Sequence, residues 1–431
     1  MVDHIDYPCA MPDPAPRANS GPAISERAVI YTVAAVQLVN ILDFVMVMPL
    51  GPDFSKAIHI PESDLGWIAG SYTAAAAVSG LVGAFVLDRF DRRKALIVAM
   101  LGLVVGTAMG GFAQGFHSLL GARVLAGIFG GPATSISLSI IADVVPAKRR
   151  GRAMGIVMGA FGIASVVGVP IGLELASRLS WHAPFFAIAG LGLVVVFYGA
   201  ARLPPLTGHL TTDRAVHGGF RELFADRLVW MSYTMTATVM GAGFLLIPNL
   251  SAYVQRNLGY ARDDVKWLYL VGGIISVILT PLVGRLVDRL GSTIIGTIGS
   301  VMFFATVLPA FILIPQTFPV LALFCCFMIS MSFRNVAYNT LASKVPSQAI
   351  RARFMSIQST VQHAAAATGG LLSSVLLKTG PGGVLQGIPR LATLSLALTF
   401  VLPALLFVVE RSVRARAAVL AAAAAATTAA A

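Results

Sequence analysis

Twelve runs of about twenty mostly apolar residues leave this 431-residue chain few ways to fold; they lie at 28–50, 65–87, 95–113, 118–143, 153–175, 183–201, 228–249, 265–283, 293–314, 318–342, 355–377 and 391–409. Each run has the length of a helix that crosses the hydrocarbon core of a bilayer. There every backbone N–H and C=O must be paired within its own segment. Composition excludes a soluble alternative. Charged residues make up 12% of the chain and hydrophobic ones 57%, whereas a soluble domain carries roughly 25% charged residues. The expected fold class is an all-α membrane protein with twelve transmembrane helices.

The formal charge of +12 would suit nucleic acid, but its placement argues against such a partner. With twelve crossings, the segments on the side of the two termini hold 22 of the 31 Lys and Arg residues. The opposite loops hold seven: Lys56, Arg178, Arg256, Arg262, Lys266, Lys378 and Arg390. This bias is the positive-inside pattern, so both termini are expected in the cytoplasm. Residues 1–26 are polar, acidic and proline-containing; they read as a disordered tail, and the first run is an uncleaved anchor. Cys9, Cys325 and Cys326 have no metal-ligand spacing, and no phosphate loop or nucleophile motif is present. Neither an enzyme nor a cofactor site is expected.

The chain also repeats itself. Ala84-Phe85-Val86-Leu87-Asp88-Arg89-Phe90-Asp91-Arg92-Arg93 is echoed by Gly284-Arg285-Leu286-Val287-Asp288-Arg289-Leu290-Gly291, with the aspartates 200 positions apart. Ala142-Asp143-Val144-Val145-Pro146 and Arg150-Gly151-Arg152 are echoed by Ala342-Ser343-Lys344-Val345-Pro346 and Arg351-Ala352-Arg353. The expected organisation is a six-helix bundle over 27–201, a linker over 202–227, a second bundle over 228–410 and an alanine-rich tail over 411–431. In the linker, Phe220, Leu223 and Phe224 share one face, which predicts a short helix lying at the membrane interface. Two similar halves point to a machine whose halves move against each other.

Charged groups inside a span cost about 2.5–3.5 kcal/mol each on insertion scales, so those present need a reason. Asp43 lies roughly 10 Å deep in the first run and Arg123 roughly 8 Å deep in the fourth, entering from the same side. Matching depth suggests a proton acceptor whose pKa the guanidinium tunes; a static ion pair locking the two helices is the alternative. The tenth run carries Arg334, Asn335, Tyr338 and Asn339, and the eleventh Gln358, Ser359, Gln362 and His363, each set paired at i, i+4. These stripes form either a polar cavity wall, with Arg334 available to an anionic or carbonyl-rich ligand, or an interhelical hydrogen-bond network. Tyr72 and Tyr233 are candidate cavity aromatics. In the fifth run Gly159, Gly162, Gly168 and Gly172 permit close helix approach, and Pro170 removes one backbone hydrogen bond. Asp88, Arg89, Arg92 and Asp143 form a candidate inner gate with Asp288 and Arg289 as its second copy; Ser343 in place of an acid predicts an asymmetric gate.

The doubled loop resembles the Gly-x-x-x-Asp-Arg-x-Gly-Arg-Arg signature of the major facilitator superfamily. The first copy departs from it at Ala84 and Asp91, whereas Gly284 and Gly291 keep both glycines. Leu42-Asp43 and Arg123-Val124-Leu125-Ala126-Gly127 are similar to motifs of its twelve-span drug:proton antiporter branch. Gly168-Val169-Pro170-Ile171-Gly172 and Trp181-His182-Ala183-Pro184-Phe185 resemble most the arabinose and nucleoside efflux permeases. The resemblance covers residues 28–410. It implies two six-helix bundles around a central cavity, a bacterial inner-membrane location, a monomer and alternating access. It further implies proton-coupled export of a small organic solute, a drug or metabolite, with the proton gradient as energy source and no cofactor. The rival is uptake or facilitated diffusion of a sugar, nucleoside or other metabolite. A non-transporting membrane sensor or scaffold would have no need of charges in its spans.

Overall fold

When a segment must satisfy its own backbone, helices result, and helices are what the chain forms. The computed structural model describes residues 26–86, 89–207, 220–313, 319–346 and 351–430. The first half contains α1 (Glu26–Met46), α2 (Gly51–Ala57), α3 (Leu65–Val86), α4 (Arg92–Gly111), α5 (Phe116–Val144), α6 (Ala147–Ile163), α7 (Val169–Arg178) and α8 (Ala183–Arg202). After α9 (Phe220–Ala225), the second half contains α10 (Arg227–Arg256), α11 (Val265–Leu290), α12 (Ser292–Leu308), α13 (Val320–Ala342), α14 (Arg351–Leu376) and α15 (Ile388–Ala430). A small antiparallel hairpin, β1 (Lys378–Thr379) with β2 (Leu385–Gln386), separates α14 from α15.

Among the described residues, eleven helical segments are long and apolar enough to cross a membrane. The twelfth rod, α14, is long enough but carries Ser356, Gln358, Ser359, Thr360, Gln362 and His363. It packs instead along α3 and α10. The boundaries differ from expectation in readable ways. Helix α1 stops at Met46, ahead of Pro49, while α10 and α11 run on to Arg256 and Leu290. The expected separate tail is a continuation of α15 through Ala430, because alanine is the residue that costs least in a helix. Helices α6 and α7 form one rod joined by a π turn at Ala164–Gly168, two residues before Pro170, whose ring nitrogen cannot donate.

The two halves repeat each other in packing. Helix α5 lies between α3 and α4 as α13 lies between α11 and α12, and α8 packs on α4 as α15 packs on α12. The offset of 200 also holds for short features: Glu62–Asp64 and Arg262–Asp264 are 3-10 turns that launch α3 and α11. The short helix α9 is anchored in the second half, where Leu223 is fully buried in a cluster with Leu228, Val229, Tyr338 and Phe354. Its neighbour Asp226 caps α10 at the Leu228 N–H and pairs with Arg416 at 2.7 Å. The hydrogen-bonded Arg416 guanidinium holds the Asp226 carboxyl below its usual range. That contribution is present above the usual carboxylate pKa and is lost as pH falls through the depressed value.

The halves meet most closely where α3 crosses α14, toward the end opposite the chain termini (the distal end). A Cβ on Gly66 would lie 2.2 Å from the Gly370 carbonyl oxygen and 2.4 Å from Ser373 Oγ, so the backbones touch. The Trp67 N–H donates to Ser374 Oγ at 3.0 Å, and Phe44 stacks on Phe244 at 5.9 Å. Gly66→Ala is therefore expected to destabilise the folded protein by about 1–3 kcal/mol through overpacking, read as a lower melting temperature. Gly80→Ala, where nothing lies within 4 Å, leaves it unchanged or raises it.

Candidate functional site

The first half buries a connected polar network. Asp43 on α1 and Arg123 on α5 are each 1% exposed. Arg123 Nη1 donates to both carboxylate oxygens of Asp43 at 3.0 Å, and Thr107 Oγ1 on α4 donates to Asp43 Oδ1 at 2.7 Å. The Arg123 guanidinium lies 4.6 Å from the centroid of the Tyr72 ring, whose hydroxyl donates to Asn40 Oδ1. Asn40 Nδ2 in turn donates to Thr134 Oγ1 at 2.7 Å and to the Gly130 carbonyl at 2.8 Å, and Thr134 Oγ1 reaches Gln37 Oε1 at 3.3 Å. Small residues make this possible: a Cβ on Gly127 would meet the Tyr72 carbonyl oxygen at 2.3 Å. Removing two charges from water costs several kcal/mol per ion, repaid only by good geometry and further hydrogen bonds. Thr107 and Tyr72 supply that support. Sequence reasoning named Asp43, Arg123 and Tyr72 but missed Gln37, Asn40 and Thr107; Asn40 stands one helical turn before Asp43, which was a usable signal.

The second half holds a different arrangement. Arg334 on α13 is 0% exposed. Its Nη1 reaches only Met331 Sδ, at 3.7 Å, and its Cζ lies 4.3 Å from the Phe303 ring centroid. Its Nε and Nη2 make no hydrogen bond among the described residues, and neither polar atom of the Gln358 amide does. The two polar stripes do meet, because Gln362 Nε2 donates to Tyr338 Oη at 2.8 Å. Asn339 and His363 bond within their own helices, to the carbonyls of Asn335 and Ser359. Tyr233 stacks on Phe354 at 5.0 Å and donates to its carbonyl, inside the second half. Both Tyr72 and Tyr233 are thus packed among neighbours in this conformation.

The glycines named on the fifth run divide. Side chains at Gly168 and Gly172 would lie 2.0 Å from Leu42 Cδ2 and 2.1 Å from Met46 Cε, so these positions let α7 close on α1. Gly162 faces Val277 of the other half, whereas Gly159 has nothing within 4 Å. At the terminal end, Asp88 lies outside the described residues. Arg92 Nε bonds Asp143 Oδ2 at 2.5 Å, and both belong to the first half. Arg89 is exposed. In the second copy the corresponding positions are Ser292 and Ser343, and a cavity of about 240 Å³ is lined there by Asp288, Arg289, Ser292, Lys344, Glu410 and Arg414. The loops differ for a conformational reason. Asp91 has φ −56° and caps α4, while Gly291 has φ +93° and sits against Glu410 Oε1, a position closed to a side chain.

Ion pairs between the halves gather at the distal end. Arg262 Nε and Nη2 grip both oxygens of Asp53 at 2.7 and 2.6 Å. Arg256 bonds Glu62 at 2.9 Å, and Lys266 bonds Glu174 at 2.5 Å. All three acids come from the first half and all three bases from the second. Glu62 and Arg262 occupy equivalent repeat positions with opposite charge, so the first two pairs cross the molecule reciprocally. Reading the bases only as topology markers hid this; laying the halves 200 positions apart exposes it.

The chain is 23% identical to the uncharacterized MFS-type transporter YceJ of Bacillus subtilis over 266 residues, 61% of this chain and 67% of that one. It is 28% identical to multidrug resistance protein 3 of the same organism over 132 residues, 31% of this chain and 26% of that one. Its fold matches a bacterial homologue of the human lysosomal transporter Spinster, solved in an inward-facing, unoccupied conformation. The TM-score is 0.72 at 17% identity, covering 91% of this chain and 98% of the other. The Major Facilitator Superfamily matches residues 33–370 and 234–430, and so spans both six-helix bundles. A doubled helical architecture and a family match reaching across both of its copies agree, and the chain belongs to the Major Facilitator Superfamily.

Proposed function

We propose that this multi-pass membrane protein is a proton-coupled exporter of a small organic solute, working by alternating access in a bacterial inner membrane. The observation that carries the reading is the buried Asp43–Arg123 pair, held by Thr107 and sealed from water. A carboxylate there has two stable conditions: ionised beside the guanidinium, or protonated once the guanidinium withdraws. With both termini in the cytoplasm, the distal end faces outward, and the conformation described is closed to the outside. When the halves rock, α1 and α5 shift, Arg123 moves off, and Asp43 takes a proton from outside. On return the guanidinium re-forms the pair and the proton leaves inward. Solute moves the other way in the alternate half-cycle. Relatedness to a protein named for multidrug resistance supports the export direction. The working unit in this reading is a monomer.

The distal ion pairs serve as the outer latch. The Asp53–Arg262 pair is 23% and 25% exposed, and Glu174–Lys266 is 32% and 29% exposed. Partly hydrated pairs of this kind are worth about 0–1 kcal/mol each, weak enough to break in every cycle. Their number and opposed charges set the closed register.

Two measurements test this. In proteoliposomes with an imposed pH gradient, Asp43→Asn should abolish proton-driven flux; because it leaves Arg123 buried without its acid, at a cost of about 3–5 kcal/mol, the Asp43→Asn/Arg123→Gln double variant controls for folding. Wild-type pumping with normal pH dependence would sink the coupling role, and flux directed inward would favour uptake. For the latch, Glu62→Arg should raise the labelling of a cavity cysteine by an impermeant outside reagent. Adding Arg256→Glu should restore protection, and labelling indifferent to both changes would remove the latch.

A further inference from the structure

Among the described residues, the second half buries a cation with no acid against it. Residues 289–409 include no Asp or Glu, yet Arg334 lies fully buried among them. In the first half, the acid for Arg123 comes from Asp43 of the opening helix. The residue 200 positions later is Gly243 on α10, and the space beside it is taken by the Met331 methyl group, 2.7 Å from where a Cβ would stand. At that offset Arg123 falls on Leu323 and Arg334 on Thr134, so each half buries an arginine at a different level, and only the first supplies its arginine with a carboxylate. An unpaired guanidinium at mid-span is expensive, and Phe303 and Met331 compensate it weakly.

The open atoms of Arg334 carry chemical information. Nε and Nη2 are the two nitrogens without a partner. The same two nitrogens of Arg262 take both oxygens of Asp53 at 2.7 and 2.6 Å. They form the side-on fork that matches a planar carboxylate in two parallel charge-assisted hydrogen bonds. Around this fork the chain places an aromatic ring, Phe303, and a thioether, Met331. One turn toward the terminal end comes Tyr338, tied to Gln362 of α14. A charged group is required at one point, and apolar body is welcome next to it.

We infer that Arg334 anchors the carboxylate of the transported solute, which makes the substrate class organic acids with an apolar body. This rests on the transport reading above and adds the identity of the cargo. Met331 would swing from the guanidinium as the acid arrives, since a thioether at 3.7 Å is a poor acceptor beside a carboxylate. The half that holds its own acid handles the proton, and the half that lacks one handles the solute's.

The test uses the full chain purified in lipid nanodiscs and matched acids, amides and amines on three bodies: benzoate, benzamide and benzylammonium; hexanoate, hexanamide and hexylammonium; and the indole-3-acetic series. Titration calorimetry and melting shifts should show acids bound in preference to their amides and amines. Arg334→Gln should weaken acid binding by about 10-fold or more, the scale of a lost charge-assisted hydrogen bond. Arg334→Lys keeps the charge and loses the fork, and should weaken it by a similar factor; it serves even where the glutamine variant does not fold. Acids bound no better than their amides, or bound equally by both variants, would overturn the inference. Flux separates the two readings. Acid binding through Arg334 without flux of any acid sinks the transport reading and keeps the anchor. Proton-driven flux of neutral or cationic solutes, unaltered in Arg334→Lys, does the reverse.

Discussion

A charge taken out of water must find a partner or be paid back some other way, and the arrangement of this protein follows from how each half meets that demand. In the first half the demand is met internally. Asp43 and Arg123 come from helices far apart in sequence, so their pairing pins α1 to α5. The hydroxyl of Thr107 fills a further lone pair and draws in α4. Tyr72 covers the guanidinium face and passes the network on through Asn40 to Thr134 and Gln37. Because the chain of contacts is continuous, moving one charge disturbs four helices at once. Such a network is what the proposed switch would act through in a packed interior.

Five exchanges between positions 200 apart change charge or backbone conformation. Asp43 corresponds to Gly243, Arg92 to Ser292, Asp143 to Ser343, Asp91 to Gly291 and Glu62 to Arg262. Each exchange has a local physical result. The first removes the buried acid from the opening helix of the second half; the second and third remove an ion pair, and Ser292 lines a cavity; the fourth trades a capping side chain for a positive φ. The fifth gives the two copies of one turn opposite charges, and each pairs with a residue of the other half, Glu62 with Arg256 and Arg262 with Asp53. A duplicated scaffold can hold its shape while its copies take opposite electrostatic roles, because helix packing depends on side-chain size and spacing far more than on charge.

The helices were legible in the sequence because bilayer thickness sets their length directly, and α14 shows where that signal thins. Its polar stripe lowers its apolar character, but its run length and repeat position still marked it as a rod. Matching depth brought Asp43 and Arg123 together as a pair or a shared water pocket without deciding between them, and the structure joins them directly at 3.0 Å. Thr107 was not, because a threonine that bonds back to the Leu103 carbonyl looks like any helical hydroxyl until Asp43 is placed beside it. The close crossing at Gly66 and Gly370 was equally invisible. Its glycines are two among 42, and only the partner backbone distinguishes them. Side-chain chemistry announces itself in one dimension; close approach needs three.

The distal latch has one property that follows from its segregation of charge. Since the first half supplies Asp53, Glu62 and Glu174 and the second Arg256, Arg262 and Lys266, parting the halves exposes one acidic rim and one basic rim. Each rim gathers a cloud of counterions that the closed form excludes. Attraction between the rims therefore fades over a distance fixed by the Debye length, about 10 Å at 0.1 M salt and 3 Å at 1 M. In the proposed cycle, ionic strength at the distal face would act on the balance between closed and parted halves without touching the buried polar networks: brine would loosen the contact, and dilute surroundings would draw it shut.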